Sequence, residues 1–426
     1  MTRTKLLCLM LSGAVACGGG NDAAVTADIP WTTTVDSLGD TVQVRITGEI
    51  PSALVRSLVA EVKVGAEDGA EEETFGSVEM ILGTPPGGML LYDGQAQAAL
   101  LFDSTGAFVR RVGAAGGGPG EHGHLNGIVQ HASGDWIFWD AEGGRLNRYT
   151  PAGAFRSMVR LPITGWFLQD GLRTADDGTL YAWAMLERGR SASAINKAGF
   201  IHLDTTGLVL DTLVLPNWGT EPPYLTAESA DGGSSTAYGL PWGAGAEATM
   251  TPTGGLVSGP GGSYVLYLLE RGRKPVRVER AYTPVPVSST ERSERKEQIM
   301  QVMRRVNPAW SWTGEDIPSV KPAYRDFTLG RDGRIWVRVY TPGEAIPAED
   351  LPPIPPGPNP PARLTTREPS LYDVFDANGR LLGRVSPPPR TRLVRMDGNT
   401  VWGVQTDSLD VPYAVRFRIE PGFPRE

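Results

Sequence analysis

The chain has 426 residues, 40% of them hydrophobic, with 53 glycines and 35 prolines. That is enough apolar content for a core, and more turn formers than long helices tolerate. Lys plus Arg at 40 against Asp plus Glu at 48 leaves a formal charge of −8 with no dense basic block, which argues against nucleic acid as a partner because neutralising phosphates needs a basic face.

The N-terminus reads as an export signal. Arg3 and Lys5 precede an apolar run from Leu6 to Ala16, too short to span a bilayer. Ala14-Val15-Ala16 fits cleavage before Cys17 by an ordinary signal peptidase, and the same residues resemble a bacterial lipobox in which the Cys17 thiol is acylated. We expect residues 1–16 to be a signal peptide and Cys17 to be lipidated. With Cys8 lost, Cys17 stands alone and no intrachain disulfide forms. Residues 17–30, small and polar, then serve as a flexible tether. The expected address is the bacterial envelope, on the periplasmic or outer-membrane side, with membrane contact only through this N-terminal lipid.

From residue 86 onward a short pattern recurs: a turn with glycine followed by four to six apolar residues. It appears as "PGGMLLYD" (86–93), "SGDWIFWD" (133–140), "DDGTLYAW" (176–183), "TGGLVSGP" (253–260), "RDGRIWVR" (331–338) and "DGNTVWGV" (397–404). A second pattern follows most copies, an Asp-x-x-Gly turn leading into another strand, as in "FDSTGAFVRRVG" (102–113), "LDTTGLVLDTLVLP" (203–216) and "FDANGRLLGRVSPP" (375–388). The first three copies lie about 45 residues apart, the length of one four-stranded propeller blade. Trp136-Ile137-Phe138-Trp139 is apolar on both faces, as a strand covered on both sides must be. The last copy is followed by one more strand, "YAVRFRIEP" (413–421), so that blade lacks its outermost strand. "TVQVRITG" (41–48) or "LVAEVKVG" (58–65) supplies it in the expected closure.

"LFDSTGAFVRRVGAAGGGPGEH" followed by "GDWIFWDAEGGRLNRYTPAGAF" resembles the six-bladed β-propellers related to NHL repeats, and more narrowly an exported bacterial group of six-bladed β-propellers. The chain keeps Gly116, Gly118, Pro119, Gly120, Glu121, Asp140 and the Arg145–Tyr149 run. It departs at His122, where the resemblance implies phenylalanine. The fold expected is therefore all-β: a six-bladed β-propeller over residues 31–426, closed by N-terminal strand pairing with the last blade. Inserts are expected at 217–247, 282–324 and 341–369, with one surface helix around 289–306. The resemblance implies fold rather than function, because propellers host unrelated activities.

The helix has a clear start signal. Ser288 and Glu291 form a capping box, and Ile299, Val302, Met303 and Val306 fall on one face. Its other face, from Glu291 to Lys296, is expected to be solvated. Trp166, Trp242, Trp310 and Trp312 sit in loops rich in Gly and Pro. Two readings stand for them: packing of each insert on its blade, or a groove at one mouth of the ring that stacks on a flat ligand.

Catalytic signatures are missing: no Gly-x-Ser-x-Gly elbow, no His-Glu-x-x-His helix, no P-loop. Among Arg110–Ile128, "RRVGAAGGGPGEHGHLNGI", the residues Glu121, His122 and His124 are the ligand candidates, with His131 further on. Two histidines at i, i+2 can hold a metal, but a blade-to-blade turn is the better reading. In it, Arg110–Gly113 ends one outer strand, the next inner strand begins at Asp135, and Glu121 ties loop N–H groups. We expect no cofactor, no metal and no catalytic residue. The expected role is an envelope propeller, monomeric, presenting a surface to a small ligand or an envelope protein. The alternative implied by the resemblance is a lyase- or lactonase-like enzyme with a divalent metal in the central channel.

Overall fold

The computed structural model describes residues 31–161, 167–187, 197–204, 206–216, 218, 223–351, 353–354, 360 and 362–424. Within them the repeat resolves into a unit of four antiparallel strands. In the first unit Val78–Thr84, Gly88–Asp93, Ala98–Phe102 and Phe108–Arg111 pair in that order. The glycine-turn repeat is the hairpin into the second strand. The Asp-x-x-Gly repeat is the hairpin between the third and fourth. Its chemistry is local: Asp103 Oδ1 accepts from the backbone N–H of Thr105 (2.8 Å) and Ala107 (3.1 Å), while Gly106 takes a φ of 90°. Asp204 and Asp376 bind their turns in the same way. In the last unit Asp407 binds a turn in the same way one hairpin earlier, between the second and third strands, and there Asp410 occupies the left-handed position at φ 63°. Aspartate tolerates that region better than most residues, so this hairpin escapes a search for Asp-x-x-Gly.

Five further units follow. The second runs Gly127–Gln130, Trp136–Asp140, Arg145–Tyr149, Phe155–Arg160. The third is Phe167–Thr174, Leu180–Glu187, Lys197–Leu203, Val209–Val214. The fourth is Glu247–Met250, Leu256–Gly259, Val265–Leu269, Val276–Arg280. The fifth is Asp326–Leu329, Ile335–Val339, Leu371–Phe375, Leu381–Ser386. The sixth takes Thr391–Asp397, Thr400–Thr406 and Pro412–Glu420 from the C-terminal end and Val55–Val64 from the N-terminal end. First strands of neighbouring units touch one another, as with Val78–Thr84 and Gly127–Gln130, or Glu247–Met250 and Asp326–Leu329. They therefore surround an axis. The chain is an all-β six-bladed β-propeller with, among the described residues, one inserted α-helix.

Val55–Val64 lies antiparallel to the C-terminal strand, with Leu58 opposite Ile419 and Val64 opposite Ala414. Its other edge pairs in parallel with Arg384–Ser386 of blade five, so blades five and six share one eight-stranded sheet. Thr41–Thr47 takes no part in blade six. It pairs in parallel with Val276–Arg280 on the outer edge of blade four and carries Thr32–Leu38 beyond it.

The apolar interior sits between blades rather than within one. Leu82, Leu90 and Tyr92 of blade one meet Trp136 and Phe138 of blade two, and Ile137 and Trp139 meet Leu172 and Leu180 of blade three. This is why Gly88–Asp93 and Trp136–Asp140 are buried at every position.

The inserts behave as one body. The hairpin Tyr224–Glu228/Ser235–Gly239, the helix Ser289–Val306 and the segment around Trp310 and Ile317 share a core of Leu225, Leu240, Trp242, Val287, Ile299, Met303, Trp310 and Ile317. The helix is capped by Ser288 with Glu291, as its sequence implies. Glu291 is not solvated, however. It is buried, and its carboxylate meets Lys321 Nζ at 2.6 Å. Lys321 also reaches Glu368 at 2.9 Å, tying the helix to the third insert. No described helix is long and apolar enough to cross a membrane.

Candidate functional site

The glycine-rich stretch spends its polar groups on itself. After Gly113 the chain makes a short parallel pairing, Ala114–Ala115 with Glu121–His122, and enters blade two at Gly127. The innermost strand thus begins at Gly127, and Asp135 leads into the second strand. Glu121 Oε2 accepts from Gly118 N–H at 2.8 Å, and the Glu121 carbonyl accepts from Asn147 Nδ2 at 2.7 Å. Asp140, buried, accepts from the N–H of Gly123 (2.8 Å) and Gly143 (2.7 Å) and pairs with Arg145 at 2.7 Å. Burial pushes the Asp140 carboxyl up, but these N–H groups and the Arg145 guanidinium outweigh it and hold the group below its ordinary value. Arg145 in turn donates to the Gly116 carbonyl at 2.6 Å. Tyr149, its hydroxyl pushed up to about 12 by burial, donates to Gly120 O at 3.1 Å.

His122 is fully buried, edge-on to Tyr92 (5.8 Å) and Phe138 (5.7 Å), with Nδ1 3.1 Å from the Gly123 carbonyl. Burial lowers its pKa, so the ring is neutral and fills an aromatic slot. His131 is also committed, with Nε2 3.1 Å from Gly178 O and Nδ1 2.8 Å from Ser133 Oγ. His124 borders an open cavity, with its Nε2 3.3 Å from Glu79 Oε2, and Glu121 is also partly exposed.

Three of the four loop tryptophans fall among the described residues. Trp310 is 8% exposed, in the insert core, with Nε1 donating to Thr226 O at 2.8 Å. Trp312 packs against it at 6.2 Å and donates to Glu315 O. Trp242 is buried too, with Nε1 on Glu368 at 2.8 Å, although one edge borders a groove of ≈ 820 Å³ shared with Tyr238, Arg295, Tyr340 and Arg367. Trp166 and Cys17 lie outside the described residues. Trp242, Trp310 and Trp312 pack into the core that holds the inserts together rather than lining one groove.

The open polar space lies on the axis. A cavity of ≈ 560 Å³ is enclosed by the first strands of four blades: Glu79–Ile81 of blade one, Gly127–Val129 of blade two, Gly171–Arg173 of blade three, and Arg392, Val394 and Arg395 of blade six, with His124 and Asn126 beside them. Arg392 donates to Val78 O at 2.8 Å, and Arg173 to the neighbouring Leu172 O at 3.1 Å. Among the described residues no carboxylate lies within ion-pair distance of Arg173, Arg392 or Arg395. Burial, followed by the nearby cations Arg331 and Arg173, pushes the Arg395 guanidinium down to about 10. Burial lowers Arg173 and Arg392 as well. Across the axis Glu247 of blade four is pushed up to about 7 by burial and by Asp326 of blade five, which is itself held by Arg338. No composition or spacing rule marks Arg173, Arg392 and Arg395, which sit in ordinary strands of two separate repeats. Their one sequence signal is a charged residue on an innermost strand, legible only after the blades are assigned.

Among the described residues no group of three His, Cys, Asp or Glu side chains stands together as a metal site. The axial lining explains why a divalent cation fits poorly there: guanidinium groups repel it, and the single imidazole is engaged by Glu79.

Residues 70–217, about a third of the chain, match the model of a family described as 6-bladed beta-propeller. No curated protein matches. Similar solved structures include a Bacteroides fragilis protein described as exported (11% identity, 89% of this chain and 99% of that one, TM-score 0.47). A member of the duf4221 family from Bacteroides vulgatus is 12% identical over 85% of this chain and 98% of that one, with a TM-score of 0.47. An inactive virginiamycin B lyase from Staphylococcus aureus, solved with quinupristin, is 11% identical over 84% and 98%, with a TM-score of 0.38. Such distant likenesses carry no function to this chain.

Proposed function

We propose that this protein is a binding propeller of the bacterial envelope that takes a small ligand into its central channel. The observation that carries the reading is the axial cavity of ≈ 560 Å³, walled by four blades and lined by Arg173, Arg392 and Arg395, which have no ion-pair partner among the described residues. Its size lies within the range of small-molecule sites, and apolar Met80, Ile128, Leu172 and Val394 stand beside the polar groups, the usual mixture in such pockets. The basic lining favours binding over metal-assisted catalysis, since a lyase- or lactonase-like centre needs a converging set of carboxylates and imidazoles.

Export rests on the N-terminal sequence, with Cys17 as the lipid attachment point and the protein acting as a monomer. Replacing Cys17 by Ser is expected to move the protein from the membrane fraction to the soluble envelope fraction and to abolish fatty-acid labelling. Labelling that persists in Cys17→Ser sinks the anchor. For the channel, Met80→Trp fills the cavity from blade one. A small-molecule screen read by thermal shift should find stabilising compounds whose effect disappears in Met80→Trp. If every hit acts equally on the filled variant, the channel is not the binding site.

A further inference from the structure

The cations on the axis carry the reading one step further, to the class of ligand. Arg173 comes from blade three, Arg392 and Arg395 from blade six, and all three line the same cavity. Arg331, whose side chain donates to Gln130, adds a fourth positive charge close to Arg395. Several other buried or half-buried arginines are paired: Arg145 with Asp140, Arg280 and Arg384 with Asp373, Arg338 with Asp326. Among the described residues Arg173, Arg392 and Arg395 have no such pair. Like charges gathered here, with Arg173 and Arg395 half-buried and Arg331 and Arg392 exposed, repel one another, and an oxyanion entering between them would relieve that repulsion. Guanidinium is also the group whose planar fork matches a carboxylate or phosphate in a bidentate pair. The acid on the wall, Glu79, lies 3.3 Å from His124, and its charge and that of Asp397 offset only part of the lowering at Arg392 and Arg395.

We propose that the channel binds a small oxyanion, a carboxylate or a phosphate, with its charged group between Arg173 and Arg395 and any carbon portion against Ile128, Leu172 and Val394. The proposal rests on the channel being the binding site. It adds the sign and chemistry of the ligand.

The test is thermal shift and calorimetric titration of the purified protein at constant ionic strength, with chloride as the balancing anion. The probes are inorganic phosphate, phenyl phosphate, benzoate and neutral benzyl alcohol. Stabilisation by phosphate-bearing probes identifies a phosphate site and stabilisation by benzoate a carboxylate site; either supports the proposal when the Arg173→Gln/Arg395→Gln double variant weakens binding about tenfold or more. Arg395→Gln alone should raise the melting temperature of the unliganded protein by about 2–4 °C, because it removes a repelled charge. A lowered melting temperature would mean the arginine is a structural cation and would overturn the proposal. So would an anion effect that survives the double variant, or no anion effect at all. Should benzyl alcohol stabilise the protein while no anion does, and Met80→Trp remove that effect, the oxyanion class fails and the channel reading stands. If Met80→Trp leaves all binding intact, the channel reading itself fails.

Discussion

The loop from Gly113 to Asn126 and the wall of the axial channel make an instructive pair. The loop has the composition of a ligand cradle, with glycines, a proline, Glu121 and two histidines in close succession. Yet Glu121 caps Gly118, Asp140 and Arg145 neutralise each other while holding Gly116, Gly123 and Gly143, and His122 is packed between two rings. The channel wall has no motif, and its arginines have no ionic partner among the described residues. A site for an external ligand is marked by charges the protein leaves without a counter-charge, and a structural loop by charges it pairs, even though His122 Nε2 and Asn147 Oδ1 stay without a hydrogen bond.

The largest expected effect breaks the answered side. Asp140→Ala leaves Arg145 buried without its counter-charge and should cost about 3–5 kcal/mol in urea denaturation. A cost below 1 kcal/mol would mean that the loop network is not what joins blades one and two.

Next comes the acidic side of the channel. Because the Glu247 carboxyl is raised to about 7 from an ordinary value of 4.5, the folded protein holds that proton while the unfolded chain has lost it. Stability contributed by the neutral form is therefore full below about 4.5 and is lost as pH rises to about 7. Glu247→Gln should be nearly silent at pH 4.5 and raise the melting temperature at pH 8 by about 2–4 °C. Equal effects at both pH values would show that Glu247 is not buried in its neutral form.

The smallest effect sharpens the contrast at His122. The pKa of this ring is lowered by burial, so the folded protein resists a proton that the unfolded chain accepts below about 6.5. Stability should fall as pH drops through that value. His122→Phe keeps the ring in its slot, should change stability at pH 8 by no more than about 1 kcal/mol, and should flatten that acid limb. An unchanged limb would assign the acid sensitivity to another group.

Much of the architecture was legible before any contact was known. Glycine at fixed places in a 45-residue period, aspartate two and four residues before the turn N–H groups it accepts from, and runs such as Trp136–Trp139 are local demands of hairpins and doubly covered strands. The helix start at Ser288 was legible for the same reason, since a capping box is satisfied within four residues. Other features were not. Asp410 hid one hairpin by taking the place of glycine. Thr41–Thr47 and Val55–Val64 carry equally good strand patterns, and only the positions of the blade four and blade six edges decide which strand goes where. Glu291 looked solvated because its partner, Lys321, is 30 residues away in sequence.

The sequence by itself determined the repeating unit, its turns and the all-β class, because hydrogen bonds within a hairpin and alternation along a strand depend on near neighbours. The tertiary structure decided what the loop tryptophans pack against, that His122 is buried and His124 open, and that Arg173, Arg392 and Arg395 share one cavity. The physical reason is the ring. Closing six blades brings to one axis residues more than 200 positions apart, and whether a charge there is answered depends on which side chains the other blades bring.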